Sequence, residues 1–300
     1  MQVFEGLTHN VMGVVGAGPV GAALVRGLRS AGIQVRLWNR TVERSEALRS
    51  DGVQVVAELA QVAVGTDAVL FAVAEDTLGQ LAKRLCLEVE ALPDDAANPC
   101  SRIALHTSGS RGPEALAALQ AGGWATGQMH PAAAVSATAE PTIAPGTWWG
   151  ISGAAPATDL ATHLVPALGG HCLRLAHGSA NAYHLAANLV AGGAVALVDL
   201  GLSALGAAAD QTEGRRALAA LLASVARNLD SASAAEVLTG PQARGAVDVV
   251  EAHLELTGAL GPELDQVYRM LAQRMVALAR GRGDGEPGRL DAIERLLDRP

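Results

Sequence analysis

Residues Val11 to Ala22 read VMGVVGAGPVGA. An apolar run, predicted as a strand, leads into Gly16, Gly18 and Gly21, and an amphipathic segment from Val20 to Ala31 follows. This is the G-x-G-x-x-G spacing in its strand–turn–helix setting. Each glycine answers a separate physical demand. At Gly16 the chain must turn tightly out of the strand, and at Gly18 a missing Cβ leaves room for a pyrophosphate. At Gly21 the helix packs close to the sheet, so that its free N–H groups and positive dipole end face the phosphates. With 34 glycines in the chain the spacing alone is easily met, and a glycine-rich turn that binds nothing is the bland alternative. Its place in a βαβ unit near the start of the sequence favours a dinucleotide. The expected cofactor contacts therefore begin with Gly16, Ala17, Gly18, Pro19, Val20 and Gly21.

The next segment, Ile33 to Trp38, is a second apolar strand and ends at Asn39-Arg40-Thr41. A site that prefers NAD places Asp or Glu here, about 20 residues beyond the glycines, to accept the ribose hydroxyls. This chain has a neutral Asn39, then Arg40, with Arg44 one turn on. A guanidinium suits a 2′-phosphate, so NADP is expected over NAD, with Asn39, Arg40 and Thr41 among the contacts. The plain alternative is that these arginines are solvated residues at a helix start.

Strands are predicted at Val53 to Val56 and at Ala68 to Val73, the latter continuously apolar as in a buried parallel strand. The loop that follows should lie across the middle of the cofactor, so Val73 and Ala74 are expected contacts. Glu75 and Asp76 read as caps of a helix from Thr77 to Val89. Residues 90–100 read as a loop. Two further strands, Ser101 to Leu105 and Trp124 to Met129, end in His106-Thr107-Ser108-Gly109 and His130-Pro131. Polar groups at consecutive strand ends occupy the edge where open parallel sheets bind ligands. His106 and His130 are candidate pocket residues, Ser108 a candidate catalytic residue and Thr107 a cofactor contact; a structural role for the histidines is equally open. A strand at Trp148 to Ile151, a helix at Ala157 to Leu168 and a strand at His171 to Leu175 complete an α/β region, 1–176.

From Gly178 the strand signals vanish. Helices are predicted at 179–208, 211–229, 232–237, 246–258 and 262–280, followed by the flexible GRGDGEPG (281–288) and a tail helix at Leu290 to Leu297. The layout is an α/β parallel-sheet domain, an all-α domain (177–280) for substrate and dimerisation, and a linker with tail (281–300). The stretch Leu185 to Ala209 is long and nearly uncharged. Asn188 and Asp199 interrupt it, and a helix buried in the protein or between two subunits is expected rather than a membrane span. A net charge of −8 with no basic run argues against nucleic acid. Cys86, Cys100 and Cys172 lack metal or redox spacing and read as thiols of a reducing cytoplasm. The opening MQVFEGLTHN has no leader pattern, so a cytoplasmic location is expected.

The helical half opens with Ser179-Ala180-Asn181-Ala182-Tyr183-His184, and Asn188 stands four residues after His184 on the same helix face. Hydride delivery to C=O or C=N needs a proton donor and a group to orient the acceptor atom, roles open to an imidazole and a carboxamide. Satisfying helix ends at a domain junction is the structural alternative. Further on, Leu238-Thr239-Gly240-Pro241-Gln242-Ala243-Arg244-Gly245 puts Arg244 after a helix breaker, where it either anchors a carboxylate or phosphate or ties two helix ends. A metal site built from His106, His130 and His184 lacks a supporting HxxxH or HxH pair.

With these residues in view, the chain resembles the Rossmann-like/DUF2520 proteins, near the superfamily of 6-phosphogluconate dehydrogenase, ketopantoate reductase and pyrroline-5-carboxylate reductase. The resemblance covers most of the chain. It rests on GVVGAGPVG, His106-Thr107-Ser108-Gly109, His130-Pro131, Tyr183-His184 with Asn188, and TGPQARG followed by His253. It implies an NAD(P)-binding Rossmann domain, a helical domain that usually forms a homodimer, and an active site at their junction. Related dehydrogenases carry a catalytic Lys and an Asn four residues on, where this chain has His184 and Asn188. Ala246 stands where the family commonly has Asp. The expectation is an NADP-dependent oxidoreductase acting on a small carbonyl or imine, with His184 as proton donor or acceptor, Asn188 and Ser108 orienting the substrate, and His106, His130 and Arg244 in the pocket. The rival expectation is an NADP(H)-sensing protein of the same fold without turnover.

Overall fold

In the computed structural model, which describes residues 8–93, 102–135, 140–283 and 287–299, the apolar run Val11–Val15 forms strand β1. The other strands are β2 (Gln34–Trp38), β3 (Val53–Val55), β4 (Ala68–Phe71), β5 (Ile103–His106), β6 (Ala125–Pro131), β7 (Trp148–Gly153) and β8 (His171–Arg174). They join one sheet in the order β3-β2-β1-β4-β5-β6-β7-β8. Every neighbouring pair is parallel except β6 and β7, which run antiparallel with His130 opposite Gly150. The strand order reverses beside β1, between β2 and β4. That is the topological switch point, where the carboxyl ends of the strands open a crevice for ligands.

Side chains alternate across the sheet, so two cores form. On one face Met12, Val14, Leu37, Leu70 and Leu105 pack with helices α1 (Pro19–Ser30) and α5 (Ala155–Ala167). On the other, Val15, Val69, Phe71 and Ala104 pack with α3 (Glu75–Glu90) and the short turns that flank it. Burial on both faces explains why β1 and β4 read as continuous apolar runs rather than as alternating ones. The short α2 (Val42–Glu46) forms at the helix start read beside Arg40 and Arg44, and α4 (Ala117–Ala121), which the sequence did not signal, fills a further connection. Helix α3 starts at Glu75 rather than Thr77, with Ala74 in extended geometry at its N-cap.

The chain divides into two compact units, one ending at Leu189 and the other beginning at Val190. The division falls inside the long helix α6 (Ala180–Leu205). In the second unit α7 (Gln211–Leu229), α8 (Ala234–Val237) and the single turn α9 (Pro241–Arg244) lead to α10 (Val247–Leu260), α11 (Pro262–Arg282) and α12 (Pro287–Leu297). Val250, Ala272, Val276, Ala279, Leu290 and Ile293 form its core, so the tail helix is packed rather than loose.

Helix α6 corrects one expectation. Of its residues only Ala180 is buried, while Leu185, Leu189, Val190, Val195 and Leu197 are exposed in the single chain. It is therefore not a helix buried within the protein. Residues 180–208 are the one helical stretch among the described residues long and apolar enough to cross a membrane, and none of its most apolar window is buried. Cys86 is buried and Cys172 partly so, both as free thiols. Residues 1–7, the 94–101 stretch with Cys100 and the predicted strand start at Ser101, and 284–286 of the predicted linker lie outside the described residues.

Candidate functional site

The glycine loop leaves β1 at Gly16, whose φ of +111° only glycine adopts freely. A Cβ at Gly16 would sit 2.3 Å from the Ala72 carbonyl oxygen, and one at Gly21 would sit 2.2 Å from that of Gly16. These two glycines let the ends of β1 and β4 and the start of α1 close on each other. Gly18 differs: a Cβ there would meet nothing within 4 Å. Its smoothness faces open space, as a backbone that admits a ligand must. Pro19 at the first helical position carries no N–H, and the first N–H to pair back is that of Ala22, to Gly18 O at 2.8 Å. Ahead of that pair stand the N–H groups of Val20 and Gly21 at the positive end of the helix.

Around this loop lies a cavity of about 510 Å³ at the switch point. Gly16, Gly18, Trp38, Asn39, Arg40, Thr41 and Arg44 line one side, and Ala72, Val73, Ala74, Thr77, Gln80, Leu81 and Arg84 the other. Three of these residues are arginines and none is acidic. Asn39 lines the cavity, yet its carboxamide is spent on the loop: Oδ1 accepts from Ala17 N–H at 2.9 Å and Nδ2 donates to Thr41 O at 2.7 Å. The side chain thus braces the glycine turn, and the Ala17 N–H is committed to it. Arg84 stacks over the Trp38 ring at 5.3 Å and pairs with Glu88 at 2.6 Å. The contribution of α3 was not anticipated, although Thr77, Gln80, Leu81 and Arg84 fall at i, i+3, i+4 and i+7, the signature of a single helix face.

A second, polar group of side chains gathers where β4, β5 and β6 end. Its first element corrects the expectation that Glu75 caps α3: no side-chain cap bond exists there. Instead the Glu75 carboxylate accepts the Ser108 hydroxyl at 2.5 Å and the Ser110 hydroxyl at 2.6 and 2.7 Å. These bonds hold its carboxyl below the usual carboxylate range, with the nearby His184 adding to the effect. Ser108 also accepts from Arg111 N–H at 3.2 Å. Its hydroxyl proton is engaged, so Ser108 fixes the loop rather than presenting a free donor to a substrate.

The loop after β5 is pinned from below as well. His106 is fully buried and its Nε2 lies 2.9 Å from Gly112 O, so it props the loop. Burial pushes its pKa down. Thr107 binds Phe71 O through its N–H at 3.0 Å. Gln128 on β6, buried and missed in the sequence, donates to Ser108 O and Gly109 O and accepts from Ser152.

Above this platform His130, Tyr183 and His184 converge on Gly109. A Cβ at Gly109 would stand 2.8 Å from both His130 Nε2 and His184 Cδ2, so a side chain there would push the two imidazoles aside. Their ring centroids are 6.5 Å apart. His130 is bound through Nδ1 to the Tyr183 hydroxyl at 3.1 Å, and burial lowers its pKa to about 4. His184 and Asn188 are exposed on α6. Arg244 ends α9 in the second unit and is exposed, ahead of Gly245 in the left-handed conformation. There Gln242 and His253 both bind the Tyr268 hydroxyl, at 3.1 and 3.0 Å. Among the described residues no group of three His, Cys, Asp or Glu side chains is arranged to hold a metal ion.

Residues 11–87 match the NAD-binding domain of 6-phosphogluconate dehydrogenase, and residues 147–275 match the domain of unknown function DUF2520. The chain joins a Rossmann NAD-binding domain to a DUF2520 domain. No curated protein matches it in sequence. Among solved structures, this chain resembles a Thermotoga maritima protein with a TM-score of 0.68 at 18% identity, covering 91% of this chain and 99% of that one. A pyrroline-5-carboxylate reductase from Coxiella burnetii matches at 0.60 and 12%, covering 98% and 100%. A reductive aminase from Aspergillus terreus, in complex with NADPH and ethyl-5-oxohexanoate, matches at 0.61 and 18%, covering 94% and 98%. At these identities the likeness is one of fold.

Proposed function

We propose that the protein is an NADP-dependent oxidoreductase that reduces, or forms by oxidation, a small carbonyl or imine. The observation that carries this reading is the cavity at the switch point, lined by three arginines and no carboxylate; its Ala74 directly precedes Glu75, whose carboxylate holds the loop of Gly109. Arg40 and Arg44 stand where a 2′-phosphate is distinguished from a ribose hydroxyl. The nicotinamide supplies or accepts a hydride when bound. His184 gives the proton to the acceptor atom during reduction and takes it back in oxidation, since imidazole is the side chain that does both near neutrality. Asn188, one turn along, orients that atom with its carboxamide. Glu75, through Ser108 and Ser110, holds the loop that carries Gly109. The likeness of fold to a pyrroline-5-carboxylate reductase and to a reductive aminase in complex with NADPH and ethyl-5-oxohexanoate favours this substrate class.

The test is NADPH and NADH titration by fluorescence, followed by NADPH oxidation against a panel of aldehydes, ketones and cyclic imines. Tight NADPH and weak NADH binding are expected. His184→Ala should abolish turnover and leave NADPH affinity within about twofold, because it removes a transition-state contact and no cofactor contact. Loss of both together sinks the assignment. The rival reading, an NADP(H) sensor, draws on the same cavity and on the histidine where related enzymes carry lysine; binding without turnover across the panel selects it.

A cytoplasmic homodimer is part of the proposal. Besides the apolar side chains of α6, Leu221, Leu222, Val225 and Leu229 on α7 and Leu256 and Leu260 on α10 are exposed in the single chain. A second copy covering them accounts for α6 without a membrane and without a nucleic-acid partner. Light scattering at micromolar concentration in detergent-free buffer should give twice the 30.5 kDa chain mass; a monomer overturns this.

A further inference from the structure

His130 is the titratable side chain of the Gly109 group whose two ring nitrogens meet different surroundings. Nδ1 faces the phenol of Tyr183 at 3.1 Å, with the rings edge to face. Nε2 faces the other way, toward Gly109 and His184. Tyr183 is itself wedged in place, since a Cβ at Gly150, opposite His130 on β7, would come within 2.8 Å of its Cζ. We propose that His130 is a second catalytic residue: a neutral imidazole, set by Tyr183 as the Nε2–H tautomer, that donates a hydrogen bond from Nε2 to the carbonyl oxygen or imine nitrogen of the substrate. This rests on the oxidoreductase reading above.

The tautomer follows from where the phenol proton goes. The alternative acceptor for the Tyr183 hydroxyl is the His130 backbone carbonyl, which is farther at 3.4 Å. A phenol proton shared with Nδ1 makes that nitrogen the acceptor, and the ring's own proton then resides on Nε2. The neutral state follows from burial. Of the groups that face the ring, His184 on α6 and His106 on β5 also disfavour a positive charge, Glu75 on α3 favours it, and desolvation dominates.

A neutral imidazole N–H keeps its proton but stabilises negative charge growing on oxygen, as a fixed donor does in an oxyanion hole. The work then divides cleanly. As hydride reaches carbon, the C–O or C–N π pair moves to the heteroatom under the His130 Nε2–H bond. That heteroatom takes its proton from His184. Tyr183 acts through His130 and is a positioning residue.

The experiment is two-bond ¹H–¹⁵N correlation NMR on the full chain carrying ¹⁵N-histidine, at pH 7, with the His130 signals assigned by their loss in His130→Gln. The wild type should show the neutral Nε2–H pattern, persisting to about pH 5. Tyr183→Phe should convert His130 to a mixture of tautomers. In turnover, Tyr183→Phe should lower kcat about tenfold with the KM for NADPH unchanged. His130→Ala should lose about 100-fold or more, as for removal of an oxyanion donor. His130→Gln, which restores an N–H donor, should recover part of that loss. An Nδ1–H or imidazolium pattern in the wild type, or a tautomer unmoved by Tyr183→Phe, overturns this proposal alone. Absence of wild-type turnover with NADPH bound overturns instead the oxidoreductase reading, and the substrate-facing role with it.

Discussion

Replacing Gly18 by alanine separates the cofactor role of the glycine loop from its folding role. Gly18 sits at φ −72° and ψ −177°, extended geometry that alanine adopts without strain, and its new methyl would meet no protein atom within 4 Å. Stability should move little. Losing glycine at an N-cap costs up to about 1 kcal/mol, and reduced freedom of the unfolded chain offsets about 0.4–1 kcal/mol. The melting temperature should therefore stay within about 4 °C of wild type. Binding should suffer far more. A methyl at this point displaces the pyrophosphate from the N–H groups of α1, and loss of one or two charge-assisted hydrogen bonds at about 1.5–3 kcal/mol each lowers NADPH affinity by about 10- to 1,000-fold or more. The assays are fluorescence titration with NADPH and thermal melts with and without it. Wild type should gain about 2.7 kcal/mol of stability at 100 times its Kd, and Gly18→Ala at the same concentration about 1.4 kcal/mol for a tenfold loss of affinity, falling to about 0.1 or less for a 1,000-fold loss. Gly21→Ala is the contrast: its methyl would stand 2.2 Å from Gly16 O, so that variant should be strongly destabilised before any ligand is added. Undiminished NADPH binding by folded Gly18→Ala would refute the assignment of the phosphate site.

Three further outcomes are expected. Arg40→Ala and Arg44→Ala should each weaken NADPH by about tenfold, the low end for a charged hydrogen bond because both side chains are exposed, with NADH affinity unchanged; equal losses for both cofactors would remove them from the 2′-phosphate. Glu75 has its pKa lowered in the fold, chiefly by the Ser108 bond, so its stabilising effect is present above the unfolded value and disappears as pH falls through the folded one. Glu75→Gln should accordingly flatten the acid limb of the melting temperature between about pH 5 and 3, read by differential scanning fluorimetry across pH. His130, lowered from 6.5 to about 4 by burial, stays neutral in the fold while the unfolded chain takes up a proton. Stability should fall on acidification from about pH 6.5 toward 4, by up to ~3 kcal/mol from this residue, and His130→Gln should lessen the fall in denaturant titrations at pH 7 and pH 4.5.

The sequence by itself determined the α/β-then-α layout, the strand succession and the glycine loop, because these rest on local rules: continuous apolar runs for strands buried on both faces, helical periodicity, and glycine where a side chain cannot fit. The Arg40–Arg44 pair was legible for the same reason, one turn apart at the end of a predicted strand. The lining of the cavity by α3 was written in the i, i+3, i+4, i+7 spacing of Thr77, Gln80, Leu81 and Arg84, although nothing local says what that face meets.

What only the tertiary structure decided are contacts between residues far apart in the chain. Glu75 in a first helical turn looks like an N-terminal acid suited to the dipole; its bond to Ser108, 33 residues away, makes it the anchor of a loop. His106 and His130 follow consecutive strands and look alike in sequence, yet one is sealed against Gly112 while the other meets Tyr183, 53 residues on. Helix α6 shows the limit most plainly. Its alanines, glycines and leucines suit a core helix, a subunit face or a membrane span equally well, since apolar composition records that water is to be excluded and not by what. Which neighbours a face meets depends on where the rest of the chain goes, and that is fixed by packing over the whole fold.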